Sequence, residues 1–193
     1  MTKLMNLKCT GVDRPMTGQT LRRYRQTYSR VRWFTSEYKN VLDIAESDFG
    51  KKMASELGLS YFYTTGDLDY TINVVHSLNY DYVFCFEVLE HLINPLTFLG
   101  NLRECISFDT LVIVTFPRVP HWLKSNRHWK EFTKIEFLTL LDKAGYEIVE
   151  YDSFRNFLNF RKYFTGARPV VKLFLQLIGV IKVHFYVIKL KVN

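Results

Sequence analysis

Apolar positions along the chain change their period several times, and each change marks an element. In residues 18–38, GQTLRRYRQTYSRVRWFTSEY, Leu21, Tyr24, Tyr28, Val31 and Phe34 recur at helical spacing with arginines on the remaining face. This predicts an N-terminal helix lying on the body of the fold. Residues 41–45 read as a short strand, residues 51–57 as a helix closed by Gly58, and residues 61–64 as a second, aromatic-rich strand. Residues 81–88, DYVFCFEV, are apolar at nearly every position, the mark of a strand covered on both faces in a parallel sheet. A helix over 95–105 opens on Pro95 and carries Leu96, Leu99, Leu102 and Ile106 in one stripe. Residues 110–116, TLVIVTF, form another buried strand, stopped by Pro117. Thr133 caps a helix through Lys143, with Glu136 completing the capping box and Gly145 ending it, and residues 146–151 form the next strand. Such alternation argues a doubly wound α/β sheet.

In the tail, Val170, Leu173, Phe174, Leu177, Ile178 and Ile181 share one face of a helix predicted over 168–182. Residues 185–192, FYVIKLKV, follow as a closing strand. The apolar face has two possible seats: the sheet, as such stripes ordinarily find, or a membrane surface, since lysines flank it.

Composition narrows the setting. At 193 residues the chain is one domain, residues 1–193, with an N-terminal helical segment over 1–39, a core over 40–152 and a C-terminal helix and strand over 153–193. A net charge of +7 favours anionic contacts, whether nucleic acid, acidic lipid or a phosphorylated small molecule, without choosing among them. Cys9, Cys85 and Cys105 show no paired spacing, and the N-terminus lacks the apolar core of a secretion signal, so a reduced, cytoplasmic setting is expected. Lys172, Lys182, Lys189 and Lys191 interrupt the most apolar window, which excludes a spanning helix there. No spacing of His, Cys, Asp and Glu reads as a metal site.

Three segments carry a resemblance: VLDIAESDFGKKMA, DYVFCFEVLEHLINP and HWKEFTKIEFLTLLDKAGYEIVEYD. In this order, over about 40–152, they resemble the class I S-adenosylmethionine-dependent methyltransferases, the small group with a single Rossmann-like domain. The resemblance implies a mostly parallel seven-stranded sheet with helices on both faces and the last strand antiparallel, residues 185–192 being placed to be that strand. Residues 72–75 would then be a minimal third strand. It also implies S-adenosylmethionine as cofactor, met at the carboxyl ends of the strands.

By that resemblance Asp43 is the acid that orders the first loop and the methionine ammonium. The loop departs from the family where Ala45 stands for a glycine, Glu46 and Ser47 for further small residues, and one residue is added before Gly50. A Cβ at Ala45 disfavours positive φ, so a differently shaped loop is expected. Two readings of it stand: Glu46 and Ser47 supply contacts in place of backbone, or Glu46, Ser47 and Asp48 only cap the following helix. After the second strand Asp67, then Asp69, would accept the ribose hydroxyls; a solvated turn is the alternative, and a sugar-nucleotide motif is a weak third. Asn73, Val74 and residues 77–79 would line the adenine pocket.

Phe86 and Glu87 match positions facing cofactor and acceptor, although Phe86 equally suits the core. Glu90 and His91 could act as a base pair, or simply begin the next helix. Arg118, His121, Trp122, Arg127, His128 and Trp129 collect in one loop that would line an acceptor pocket for a flat or anionic substrate. The functional expectation is methyl transfer to an unidentified small-molecule acceptor. Its alternatives are an inactive methyltransferase-like module binding a ligand or protein, and a basic nucleic-acid or membrane-surface binder.

Overall fold

The computed structural model describes residues 16, 18–74, 79–120, 125–155 and 167–192. Its elements run α1 (Gly18–Val31), β1 (Asn40–Asp43), α2 (Asp48–Glu56), β2 (Ser60–Tyr63), β3 (Tyr82–Phe86), a 3-10 turn (Leu89–His91), α3 (Pro95–Arg103), β4 (Leu111–Arg118), α4 (Lys134–Ala144), β5 (Tyr146–Phe154), α5 (Ala167–Leu177) and β6 (Lys182–Leu190). They build one six-stranded sheet in the order β2-β1-β3-β4-β6-β5. The four strands β2, β1, β3 and β4 are parallel, and β6 is inserted antiparallel between β4 and β5. The chain passes from β1 to β2 on one side and returns to β3 on the other. The carboxyl ends of β1 and β3 therefore flank the switch point where open α/β sheets bind ligands.

The central strands are largely apolar on both faces because alternate residues meet different helices. Val83, Cys85, Val112, Val114, Phe116, Tyr186 and Ile188 pack with Phe98 and Leu99 of α3 and Phe137 and Leu141 of α4. Tyr82, Phe84, Ile113, Phe185 and Val187 face the other way, against Tyr24 and Val31 of α1 and Met53 and Ala54 of α2. Helix α4 begins and ends as its sequence dictates: Thr133 Oγ1 accepts from Glu136 N, Thr133 N donates to Glu136 Oε2, and Gly145 closes the helix at φ 79°.

The sheet has six strands among the described residues, not the expected seven. The segment expected to be the third strand folds back instead, with Thr65 and Asn73 in an isolated antiparallel bridge across Gly66 at φ 102°. Too few residues separate β2 from β3 to hold a crossover helix and a further parallel strand. Pro117 does not stop β4, which runs on to Arg118 against β6. Thr115 is the last residue of β4 paired with β3, so beyond it a missing N–H costs no bond on that side. Helix α1 is shorter than the sequence periodicity predicts, ending at Val31, and α5 ends at Leu177. There Gly179, at φ 77°, lets Val180 N donate to Leu175 O and closes the turn.

The apolar face of α5 does not seat on the sheet. Val170, Phe174, Leu177 and Ile178 are exposed, Phe174 to 60%, whereas Gln176 is buried at 2%. Among the described residues no helix is long and apolar enough to cross a membrane.

Candidate functional site

The loop between β1 and α2 is built around one buried carboxylate. Asp43 ends β1 at 1% exposure, and its Oδ2 accepts from Ser47 N at 3.0 Å, Ser47 Oγ at 2.8 Å and Tyr61 Oη at 2.9 Å. Ser47 is also the N-cap of α2, accepting from Gly50 N at 2.9 Å. Burial pushes the Asp43 carboxyl up to about 6, against the pull of the hydrogen bonds from Ser47 and Tyr61. Gly50 is where a glycine is indispensable, because a Cβ there would lie 2.2 Å from Asp43 Oδ2. Ala45, by contrast, takes the left-handed conformation at φ 64°, held by its N–H on Thr64 Oγ1 at 2.9 Å. The expectation that its Cβ keeps Ala45 out of positive φ is not met: the backbone there is left-handed, and the alanine carries the strain. Glu46 projects from this loop with an exposed side chain.

After β2, Asp67 organises a turn, its Oδ1 accepting from Asp69 N at 3.1 Å and its carbonyl from Tyr70 N and Thr71 N. Its side chain remains exposed. Asp69 is committed elsewhere, accepting from Asn94 N at 2.8 Å just before α3. Asn73 lies in the bridge beside it and Val74 is half-buried; His76 to Leu78 lie outside the described residues, and Asn79 is exposed.

At the end of β3, Phe86 packs edge-on against Phe49 at 5.3 Å and stacked on Phe84 at 4.9 Å, so it belongs to the aromatic layer beneath α1. Glu87 has φ 55° and is ion-paired with Arg23 of α1, whose guanidinium also lies 5.7 Å over Phe49. The sequence pattern marks Arg23 only as part of a basic helical face, and this pairing depends on tertiary placement.

Beyond Glu87 the chain makes the 3-10 turn and presents Glu90 and His91 to the loop following β4. Trp129 N and Lys130 N both donate to the Glu90 carbonyl, at 2.8 and 3.3 Å, which docks that loop on the turn. His91 Nδ1 meets Arg127 O at 2.9 Å, and His128 Nδ1 meets Glu131 Oε1 at 2.6 Å. The two imidazoles stand edge to face, 4.8 Å apart. Burial first, then the Glu87 charge, pushes the Glu90 carboxyl well above the ordinary range. Of the other loop residues, Trp129 and Arg127 are exposed, and Arg118 sits at the end of β4 opposite Lys182. His121 and Trp122 lie outside the described residues. Glu131 was not singled out by sequence; its signal is the i, i+3 spacing from His128. A separate cleft of about 510 Å³, lined by Arg22, Arg25, Gln26, Phe154 and Arg155, lies between α1 and the end of β5, away from this crevice.

A mostly parallel sheet with a switch point at β1 and β3 and an antiparallel inserted strand defines a Rossmann-like α/β domain. Residues 6–151 match a family model described as Methyltransferase domain, and the chain belongs to that family. No curated protein matches the chain. Among solved structures, a protein of Galdieria sulphuraria assigned as a sarcosine dimethylglycine methyltransferase superposes with a TM-score of 0.64 at 8% identity, covering 89% of this chain and 86% of that one. The O-methyltransferase of a Brevibacillus brevis trans-AT PKS multienzyme, in complex with S-adenosyl-L-homocysteine, gives 0.59 at 14%, covering 89% and 75%. Phosphoethanolamine N-methyltransferase 2 of Haemonchus contortus, bound to phosphomonomethylethanolamine and S-adenosylhomocysteine, gives 0.59 at 15%, covering 88% of this chain and 53% of that chain. At these identities the likeness speaks for the fold.

Proposed function

We propose that this protein is an S-adenosylmethionine-dependent methyltransferase whose cofactor lies across the carboxyl ends of β1 and β3. The observation that carries this reading is the loop after β1. Asp43, Ser47, Tyr61 and Gly50 hold it in a glycine-like shape even though Ala45 must adopt a left-handed backbone, a cost that a purely structural turn has no reason to retain. When bound, the cofactor supplies a methyl group already activated on a sulfonium. The protein's own contribution is then mostly positioning, with a base needed only for a protonated acceptor.

In this reading Asp43 orders the loop from beneath, while Glu46 and Asp67 offer exposed carboxylates to the ammonium and the ribose hydroxyls. Ser47 is consumed by capping and by Asp43, so it acts through the loop. Asp69 acts likewise by anchoring the turn before α3. Phe86 serves as the packed floor and Glu87 as a carboxylate restrained by Arg23. His91, whose Nδ1 is fixed on a carbonyl, keeps Nε2 for proton transfer on the acceptor side, beside Glu90, Arg127, His128 and Trp129. Calorimetric titration with S-adenosylhomocysteine tests the reading. Saturable one-to-one binding is expected, with Asp67→Ala weakening it by about ten- to a hundredfold, the scale of a charged hydrogen bond. Absence of binding at millimolar ligand retires it in favour of a cofactor-free module.

A second reading, compatible with the first, follows from α5. Its exposed apolar face ends at Gly179, whose α-carbon faces Arg155 of the arginine-lined cleft; a Cβ there would stand 3.6 Å from the guanidinium. Apolar residues beside cationic ones, on a chain of net charge +7, suit the surface of an anionic membrane.

A further inference from the structure

We propose that Glu90, His91 and His128 form a binding site for a divalent first-row transition-metal ion. One ligand atom from each of the three lies within 4.8 Å of the other two. Donors bound to a single tetrahedral ion at about 2.1 Å stand about 3.4 Å apart, so the widest pair must close by up to roughly 1.4 Å. That adjustment is within reach of side-chain rotation.

The surroundings fix these groups as ligands need to be fixed. A carbonyl oxygen can only accept, so the 2.9 Å contact of His91 Nδ1 with Arg127 O puts the proton on Nδ1 and leaves the Nε2 lone pair free. His128 Nδ1 at 2.6 Å from Glu131 Oε1 is fixed in the same sense by a carboxylate. Metal-binding imidazoles are held in this way, one ring nitrogen donating to a carbonyl or carboxylate and the other bound to the metal. Backbone bonds from Trp129 and Lys130 to the Glu90 carbonyl bring the two histidine-bearing segments into register.

An independent observation points to the cation. Glu90 is 1% exposed, and neither of its carboxylate oxygens has a hydrogen-bond partner among the described residues; Glu131 Oε2 is also buried and unpartnered. Leaving such atoms unmet costs free energy that native proteins normally avoid. Arg23 is engaged by Glu87, and an ammonium or a water would satisfy Glu90 without explaining why two imidazoles are oriented alongside it. Two imidazoles and one carboxylate suit ions of the zinc, iron(II) and manganese series. Three protein ligands leave positions for water or an acceptor oxygen, whose proton a bound ion makes easier to remove; His91 Nε2 is then a ligand, and the ion takes over the proton-removing part that Nε2 plays when no ion is bound. This last role rests on the methyl-transfer reading; the metal binding itself does not.

The test uses the full chain, free of any polyhistidine tag and stripped with a chelator, titrated with Zn²⁺, Mn²⁺ and Co²⁺ in the absence of cofactor. One ion per chain is expected at micromolar concentration for at least one of the three, with Co²⁺ giving visible bands of nitrogen and oxygen ligation. Glu90→Gln and His128→Gln should each weaken binding by at least tenfold. Should either variant fold poorly, a Zn²⁺-soaked crystal of the native protein decides, an anomalous peak among the three side chains being the expected result. No saturable binding of any of the three ions, binding that both folded variants retain, or an anomalous peak elsewhere overturns the proposal. Because S-adenosylhomocysteine binding is measured separately, the two readings can fail independently.

Discussion

Ala45 and Gly50 divide between them two demands that glycines ordinarily meet in a tight turn. At Ala45 the backbone is left-handed although the residue has a Cβ, and at Gly50 the backbone is ordinary but the space is taken by Asp43. Ala45→Gly should therefore stabilise the protein by roughly 0.5–1 kcal/mol, the relieved strain less the greater freedom of glycine in the unfolded chain, as read from urea unfolding midpoints. Gly50→Ala should destabilise it, because its Cβ displaces the carboxylate that holds the loop.

Two buried titratable residues give stability a pH dependence with opposing signs. Burial, reinforced by the charges of Lys182, Arg118 and Lys134, depresses His184 to about 4 from an ordinary 6.5. Between these values the unfolded chain binds a proton that the folded one refuses, so this contribution is present above pH 6.5 and is lost as pH falls towards 4. Asp43, raised to about 6 from 3.8, works the other way and favours the folded state as pH falls across that interval. His184→Phe, filling the stack with Phe116 and Tyr186, should flatten the acid-side loss when unfolding midpoints are compared from pH 7 to pH 4.5. An unchanged pH profile would show that His184 is not the group responsible.

Among the elements, those specified by local chemistry were legible from sequence. The capping box and terminal glycine define α4, continuous apolar runs define β3 and β4, and the final apolar run defines β6. The elements misread depend on neighbours. Pro117 is tolerated because β3 has already ended beside it, and the segment after β2 bridges back to Thr65 because the remaining chain is too short for another crossover. In the same way Asp43, Gly50 and Glu90 were legible as residue types at strand ends. The approach of His128 to Glu90 and His91 was not, since α3 and β4 intervene. Helix α5 illustrates the same limit, as its periodicity shows an apolar face but not what covers it. If that face seats on anionic lipid, the protein should float with phosphatidylserine-containing vesicles and much less with phosphatidylcholine alone, and Phe174→Glu should abolish flotation. Equal recovery of native and variant protein would contradict that seating.

At the scale of the whole molecule, the sheet order concentrates acidic and imidazole groups at one end of the parallel strands. Asp43 and Glu46 follow β1, Asp67 follows β2, and Glu87, Glu90 and His91 follow β3, while the loop after β4 brings in His128 and Glu131. The packed layers beneath, with α3 and α4 on one face and α1 and α2 on the other, hold these strand ends in register. In the proposed reading, the end of the sheet near Asp67 takes the ribose-bearing cation and the end near His128 takes the acceptor.

The most direct test is a crystal structure of the protein with S-adenosylhomocysteine. The account predicts the ligand across the carboxyl ends of β1 and β3, with its ribose hydroxyls on Asp67 and its amino-acid end at the loop of Ala45 and Glu46. A crystal grown at saturating ligand with the carboxyl ends of β1 and β3 left unoccupied would contradict it.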